Sequence, residues 1–151
     1  MARYPANGLT LEQAEAIVSA ARAKGRELGL QPLTVVVLDA GGQVKTVQRE
    51  DGSSLLRPEI ALGKAFGALA MGLGGRELAR RAQSMQGFMN ALSDIAGGRA
   101  VPVQGGVLAC DDGGTVLGAV GISGDASAQD EACAVAGIQA AGLRPDTGDP
   151  E

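Results

Sequence analysis

Two short turns constrain the fold of this chain more than any other feature of its sequence. Asp39-Ala40-Gly41-Gly42 and Asp111-Asp112-Gly113-Gly114 each separate a pair of apolar, β-rich runs. Leu33 to Leu38 and Val44 to Arg49 flank the first turn; Val107 to Cys110 and Thr115 to Ile122 flank the second. An Asp side chain accepts hydrogen bonds from the backbone just beyond it, and Gly supplies the positive φ of a tight turn, so each unit reads as a β-hairpin. The units also echo one another: the offset that takes Asp39-x-Gly41-Gly42-x-Val44 to Asp111-x-Gly113-Gly114-x-Val116 carries Glu59 onto Glu131. Recurrence of Asp/Gly turns in a β-rich chain is the plainer explanation, and a pseudo-repeat is the other. Both lead to an α/β (α+β) fold with a central antiparallel sheet of about four to five strands and helices packed on it.

The helices show in the spacing of apolar residues. Thr10-Leu11-Glu12-Gln13 has the form of a capping box, with Leu11, Ala14, Ile17, Val18, Ala21 and Leu28 following at helical period up to Gly29. Pro58 opens a second helix, with Glu59 in its first turn. Ala61, Ala65 and Ala68 lie on one side of that helix and Gly63 and Gly67 on another, a surface that lets it sit very close to a sheet or a partner. After Gly74-Gly75 a third helix carries Leu78, Ala82, Met85, Met89 and Leu92 on one core-facing stripe. Ser127 to Ala141 forms the last helix, with a Ser-x-x-Asp start at Ser127 and Asp130. Residues 9–142 then form one domain, between a flexible N-terminus (1–8) and a flexible tail (143–151).

The chain has 151 residues, with 24 Gly, no Trp and no His. Its core therefore rests on Val, Leu, Ile and Ala rather than on rings. A net charge of −4 and the lack of any Lys/Arg run exclude nucleic acid as a partner; Arg76, Arg80 and Arg81 read as a solvated helix face. No stretch approaches the ~18 apolar residues of a membrane span, and the N-terminus lacks a signal-peptide core, so the expected location is the cytoplasm. Cys110 and Cys133 stand in apolar surroundings as buried, reduced thiols. The missing histidine removes Ser-His-Asp and Cys-His nucleophiles, HExxH zinc sites, facial-triad iron and histidine-ligated haem. Met71-Gly72-Leu73-Gly74-Gly75-Arg76 follows a helix rather than a strand and has Glu77 where a dinucleotide fingerprint needs its third glycine.

What remains is a polar cluster at the entry to the second helix. Arg49, Asp51, Arg57, Glu59 and Lys64 fall within sixteen residues. Lys64 lies in an otherwise apolar stretch, where a buried ammonium without a partner is costly; it reaches a ligand, a salt bridge to Asp51 or Glu59, or water at the end of its long stem. Gly105-Gly106 and the start of the last helix (Ser123, then Gln129-Asp130-Glu131) offer backbone N–H groups that can hold an anion, or else turn and capping chemistry.

These stretches resemble the GlcG/HbpS family, to which the PduO C-terminal domain also belongs. The resemblance rests on Leu38-Asp39-Ala40-Gly41-Gly42, Arg49-Glu50-Asp51-Gly52 and Glu59-Ile60-Ala61-x-x-Lys64-Ala65. It continues through Val101-Pro102-Val103-Gln104-Gly105-Gly106-Val107 and Val116 to Gly124, and ends at Gln129-Asp130-Glu131. It implies a three-layer, profilin-like α/β/α domain that assembles into homodimers or octamers, with a pocket near these motifs. Some members bind or degrade haem; others are thought to act on small carboxylates. This chain departs from the haem binders in having only Tyr4, four Met and two Cys as alternatives to an imidazole ligand, and in Leu108, where the family often has proline. The leading expectation is an oligomer that binds a small anionic molecule without a required cofactor. Lys64, Glu59 and Asp51 would be the acid–base groups for tautomerisation, hydration, elimination or hydrolysis. Arg49, Arg57, Gly105, Gly106, Ser123, Gln129, Asp130 and Glu131 would line the site. The rivals are a haem or tetrapyrrole protein, with haem bound weakly, and a structural or partner-binding subunit.

Overall fold

The computed structural model describes residues 1–149. Both hairpins form where the turns place them. Strands β1 (Thr34–Asp39) and β2 (Val44–Arg49) flank the first turn, and β3 (Gly106–Cys110) and β4 (Val116–Ser123) the second. Asp39 Oδ1 accepts from the amides of Gly41 (2.9 Å) and Gln43 (3.0 Å), and Asp111 Oδ1 from that of Thr115 (2.8 Å). Gly42 and Gly114 have φ of 79° and 85°. Even the irregularities coincide: the register shifts between Val37 and Leu38 in one hairpin and between Ala109 and Cys110 in the other. The echo is thus a shared hairpin geometry, in turn and in register shift.

The sheet has the order β2-β1-β4-β3-β5 and is antiparallel throughout. Its central strands are buried on both faces, which is why Thr34 to Leu38 reads as a continuous apolar run rather than an alternating one. On one face Val35, Val37, Val107, Val120 and Ile122 meet Ile17 and Val18 of α1 (Leu11–Glu27) and Cys133 and Ile138 of α5 (Ser127–Ala140). On the other, Val36, Leu38, Leu108 and Ala119 meet Ala61, Ala65 and Ala68 of α2 (Arg57–Met71), Leu78 of α3 (Gly75–Ser84) and Met89 of α4 (Gln86–Ile95). The helices after the two hairpins therefore lie on opposite faces, and the echo stops at the hairpins.

The Ala/Gly surface of α2 is used by its own chain. Gly106 and Gly121 face each other across β3 and β4. A Cβ on Gly121 would lie 1.9 Å from the Ala61 carbonyl oxygen, and one on Gly106 2.2 Å from that of Lys64. The glycine pair is the seat on which α2 rests. Gly63 and Gly67 are covered on the other side by Val101 and Ala100.

Three expectations change. The expected third helix is two helices, α3 and α4, broken at Met85 (φ −133°, ψ 49°); Ser84 and Gly87, both weak helix formers, flank the break. Met85 leaves the core stripe and is exposed. The tail expected to be flexible forms β5 (Arg144–Asp146) on the edge of β3, while residues 150–151 lie outside the described residues. The N-terminus is tied down from Asn7, whose carbonyl accepts from Ala40 at 3.0 Å, because the hairpin turn offers an amide the strands leave unpaired. Thr10 and Gln13 do form the reciprocal capping box, and both cysteines are free and buried. Among the described residues no helix is long and apolar enough to cross a membrane.

Candidate functional site

The turns gather at one end of the sheet and the charged residues at the other, where β1 and β3 begin and β2 and β4 finish. Thr34 lies opposite Arg49 on one side and Ser123 on the other. The loop from β2 to α2 folds over this row. Ser53 and Thr34 share a buried hydroxyl hydrogen bond of 2.8 Å, Arg49 donates to the Ser53 carbonyl (3.0 Å), and Arg57 donates to the Ser123 hydroxyl (3.1 Å).

Lys64 points beneath this row. Its ammonium lies 2.9 Å from Asp130 Oδ2 and donates to the Ile122 carbonyl at 2.9 Å; the two charged side chains are 4% and 0% exposed. Its partner is thus Asp130, not Asp51 or Glu59. The correction follows from topology: α2 runs along one face, and Lys64 reaches past the sheet's end to the helix on the other. Asp130 therefore does not cap α5. The helix has Ala126 as its N-cap residue with no side-chain cap, while Asp130 Oδ1 accepts from the Asp125 amide (2.9 Å). Asp125 closes the turn by accepting from Gln31 (2.9 Å) and Ala126 (2.7 Å), and these bonds hold its carboxyl below the usual range. Gly105 (φ 104°) makes room for the ammonium, because a Cβ there would sit 3.0 Å from Lys64 Nζ. Packing accounts for both Gly105 and Gly106.

Toward the β2 edge, α1 and β2 enclose a groove of about 450 Å³ lined by Arg22, Arg26, Gln48, Arg49, Glu50 and Asp51. Glu50 organises it. Its Oε1 accepts from the Leu33 amide (2.8 Å) and from Arg26 (3.2 Å), and its Oε2 lies 3.5 Å from Arg22. Arg22 also donates to Gln48 (3.0 Å) and Arg26 to the Gln31 carbonyl (3.0 Å). Three arginines thus line one concavity, with Glu50 and Asp51 as its carboxylates among the described residues. A similar hollow of about 440 Å³ continues along α1 past Ser19 and Ala23. A smaller pocket of about 210 Å³ beside Ser53, Ser54, Arg57 and Gly124 adjoins the row above.

Toward the β5 edge, Glu131 is 2% exposed and receives Arg76 on Oε1 through Nε (2.7 Å) and Nη2 (2.5 Å). Its Oε2 has no hydrogen-bond partner among the described residues. Glu131 binds the guanidinium so closely that the Arg76 pKa rises further, despite partial desolvation. Arg76 thus leaves the solvated face expected of it.

The structure gathers Arg49, Arg57, Ser123, Lys64 and Asp130 at one sheet end, with Asp51 in the adjoining groove. Glu59 and Gln129 are exposed on their helices, and among the described residues neither Glu59 nor Asp51 forms an ion pair with Lys64. Sequence reading missed Arg22 and Arg26. They stand four apart on the polar face of α1, an ordinary pattern for a solvated helix, and only the sheet order shows that this face meets β2.

Comparison with known proteins agrees with this architecture. The family model of the haem-degrading, HbpS-like proteins matches residues 9–139. An uncharacterised 15.0 kDa protein from the dhaT–dhaS intergenic region of Citrobacter freundii is 30% identical over 125 residues, 81% of this chain and 84% of that one. The crystal structure of a PduOC:heme complex superposes with a TM-score of 0.81 at 28% identity, covering 94% of this chain and 99% of the other. That of HbpS gives 0.76 at 28% identity over 92% and 96%. Matched through nearly all of its sheet and helices, this chain belongs to the family of haem-degrading, HbpS-like proteins.

Proposed function

We propose that the protein binds a carboxylate-bearing small molecule in the α1–β2 groove, and that haem is the first candidate. The observation that carries this reading is the convergence of Arg22, Arg26 and Arg49 on one concavity that also holds Asp51 and Glu50, the latter already engaged by Arg22 and Arg26. Guanidinium groups pair with carboxylates in planar, charge-assisted hydrogen bonds, and haem carries two propionates. Kinship with the PduOC:heme complex supports the choice. Without histidine, affinity rests on propionate pairing and apolar contact, so binding is weak.

Acid–base turnover by Lys64, Glu59 and Asp51 is the less favoured reading, because these groups are dispersed and Lys64 is already neutralised by Asp130. The proposal includes self-association and a cytoplasmic setting. Leu55, Leu56, Phe88 and Ile95 are large apolar side chains left more than half exposed, more than one copy of so small a chain covers.

Titration of haem, followed by absorbance, tests the reading. A weak complex is expected, loosened about tenfold by Arg22→Gln with Arg26→Gln and by added salt. A tight stoichiometric complex with a sharp low-spin spectrum, indifferent to both substitutions, would overturn it.

A further inference from the structure

Where the C-terminal segment crosses the start of α3, glycine lies on glycine. A Cβ on Gly74 would sit 2.1 Å from the Thr147 carbonyl carbon, and one on Gly148 (φ 85°) 2.6 Å from the Gly74 carbonyl oxygen. Two hydrogen bonds fix the crossing, Arg76 N to the Thr147 carbonyl (3.0 Å) and the Arg80 guanidinium to the Gly148 carbonyl, and within the segment Gly148 N donates to Asp146 Oδ1 (2.8 Å). The segment thereby delivers the Asp149 carboxylate to Arg76, with Arg80 at 3.8 Å. Beside them is a cavity of about 230 Å³ bounded by Gly72 to Gly74, Glu77, Arg80, Asp146, Gly148 and Asp149.

Each of these two arginines also pairs with a second carboxylate. Glu131 fixes Arg76, and Glu77 fixes Arg80 at 2.9 Å. Each guanidinium is thereby oriented before anything arrives in front of it, which lowers the entropy a ligand must overcome. Glu77 also holds Arg81 at 2.8 Å. Among the described residues Arg76, Arg80 and Arg81 thus face Glu77, Glu131, Asp146 and Asp149, and removal of the Asp149 charge takes the cluster from one net negative charge to balance. Asp149 is half exposed, so its pairs are of the weak surface kind that another anion can displace.

We propose that Arg76 and Arg80 form a binding site for a small oxyanion, a carboxylate or a phosphate, and that the chain's own Asp149 fills it as an internal ligand. This site lies at the β5 edge of the sheet, apart from the α1–β2 groove, and stands independently of the reading given to that groove.

The test uses the full chain, inorganic phosphate and acetate as probes, and backbone amide shifts as the readout. Asp149→Asn keeps the shape and removes the charge; its melting temperature should match that of the unsubstituted protein. Phosphate should then bind about fivefold more tightly than to the unsubstituted chain, with shifts centred on Gly74, Gly75 and Arg76. Adding Arg80→Gln should cancel the gain. A stronger response to phosphate than to acetate assigns the site to phosphate, and an equal response to carboxylates. Unchanged affinity in Asp149→Asn, or shifts confined to Gln48–Asp51 in the groove, would overturn the proposal.

Discussion

Replacing Lys64 by Met tests whether the buried ion pair is structural. The substitution keeps the length of the side chain while removing an ammonium 2.9 Å from Asp130 Oδ2 and 2.9 Å from the Ile122 carbonyl. Asp130, fully buried, is left among the described residues with the Asp125 amide on its other oxygen. Breaking one side of a buried pair costs about 3–5 kcal/mol, because the remaining charge stays desolvated. With a urea m-value of about 2 kcal/mol/M, the midpoint falls by roughly 2 M, and the melting temperature by about 10 °C. Adding Asp130→Asn replaces the stranded carboxylate with a neutral amide of the same shape and should recover about 2 kcal/mol of the loss. Because Lys64 is only 4% exposed, folded Lys64→Met should bind ligand in the α1–β2 groove as the parent does. A loss below about 1 kcal/mol, or no recovery in the double variant, would refute the reasoning. A folded variant that loses ligand binding would return Lys64 to the site.

Two further outcomes follow from packing and burial. Gly121→Ala should cost more than ~3 kcal/mol in urea unfolding, because its Cβ meets the Ala61 carbonyl at 1.9 Å, whereas Gly29→Ala, with φ 66° and open space around it, should cost only about 1 kcal/mol; equal effects would show that α2 is not seated on the sheet glycines. Burial pushes the Cys133 thiol from its usual value near 9 up to about 11, so the unfolded chain ionises first as pH rises, and stability present below about pH 9 declines through about pH 11 by up to ~3 kcal/mol; Cys133→Ala should flatten that alkaline limb of a stability–pH curve, and an unchanged limb would count against the burial argument.

Both hairpins could be read from the sequence residue by residue, because a turn of this kind is local: Asp39 and Asp111 bond to amides within four residues of themselves. The capping box at Thr10 was legible for the same reason. The break at Met85 was not, since the apolar spacing from Leu78 to Leu92 suits one straight helix as well as two. Nor was β5, whose three residues, Arg144, Pro145 and Asp146, carry no strand propensity and pair only because the β3 edge offers unsatisfied backbone groups.

The same distinction between local and distant chemistry governs the polar end of the sheet. The apolar run around Lys64 marked its ammonium as needing a ligand, a carboxylate or water, and for the carboxylate sequence proximity pointed to Asp51 and Glu59. The partner lies 66 positions away, because β4 delivers α5 to the opposite face and only the sheet's end separates the two helices. Asp130 and Glu131 then divide their roles by helical geometry. Successive residues point about 100° apart, so Asp130 turns toward Lys64 of α2 and Glu131 toward Arg76 of α3. One acidic dipeptide thereby fastens two helices of the far layer through the end of the sheet. Their joint burial sets the remaining arginines of the two edges apart from the core: Arg22, Arg26 and Arg49 exposed on one side, and Arg80 with the half-buried Arg76 on the other.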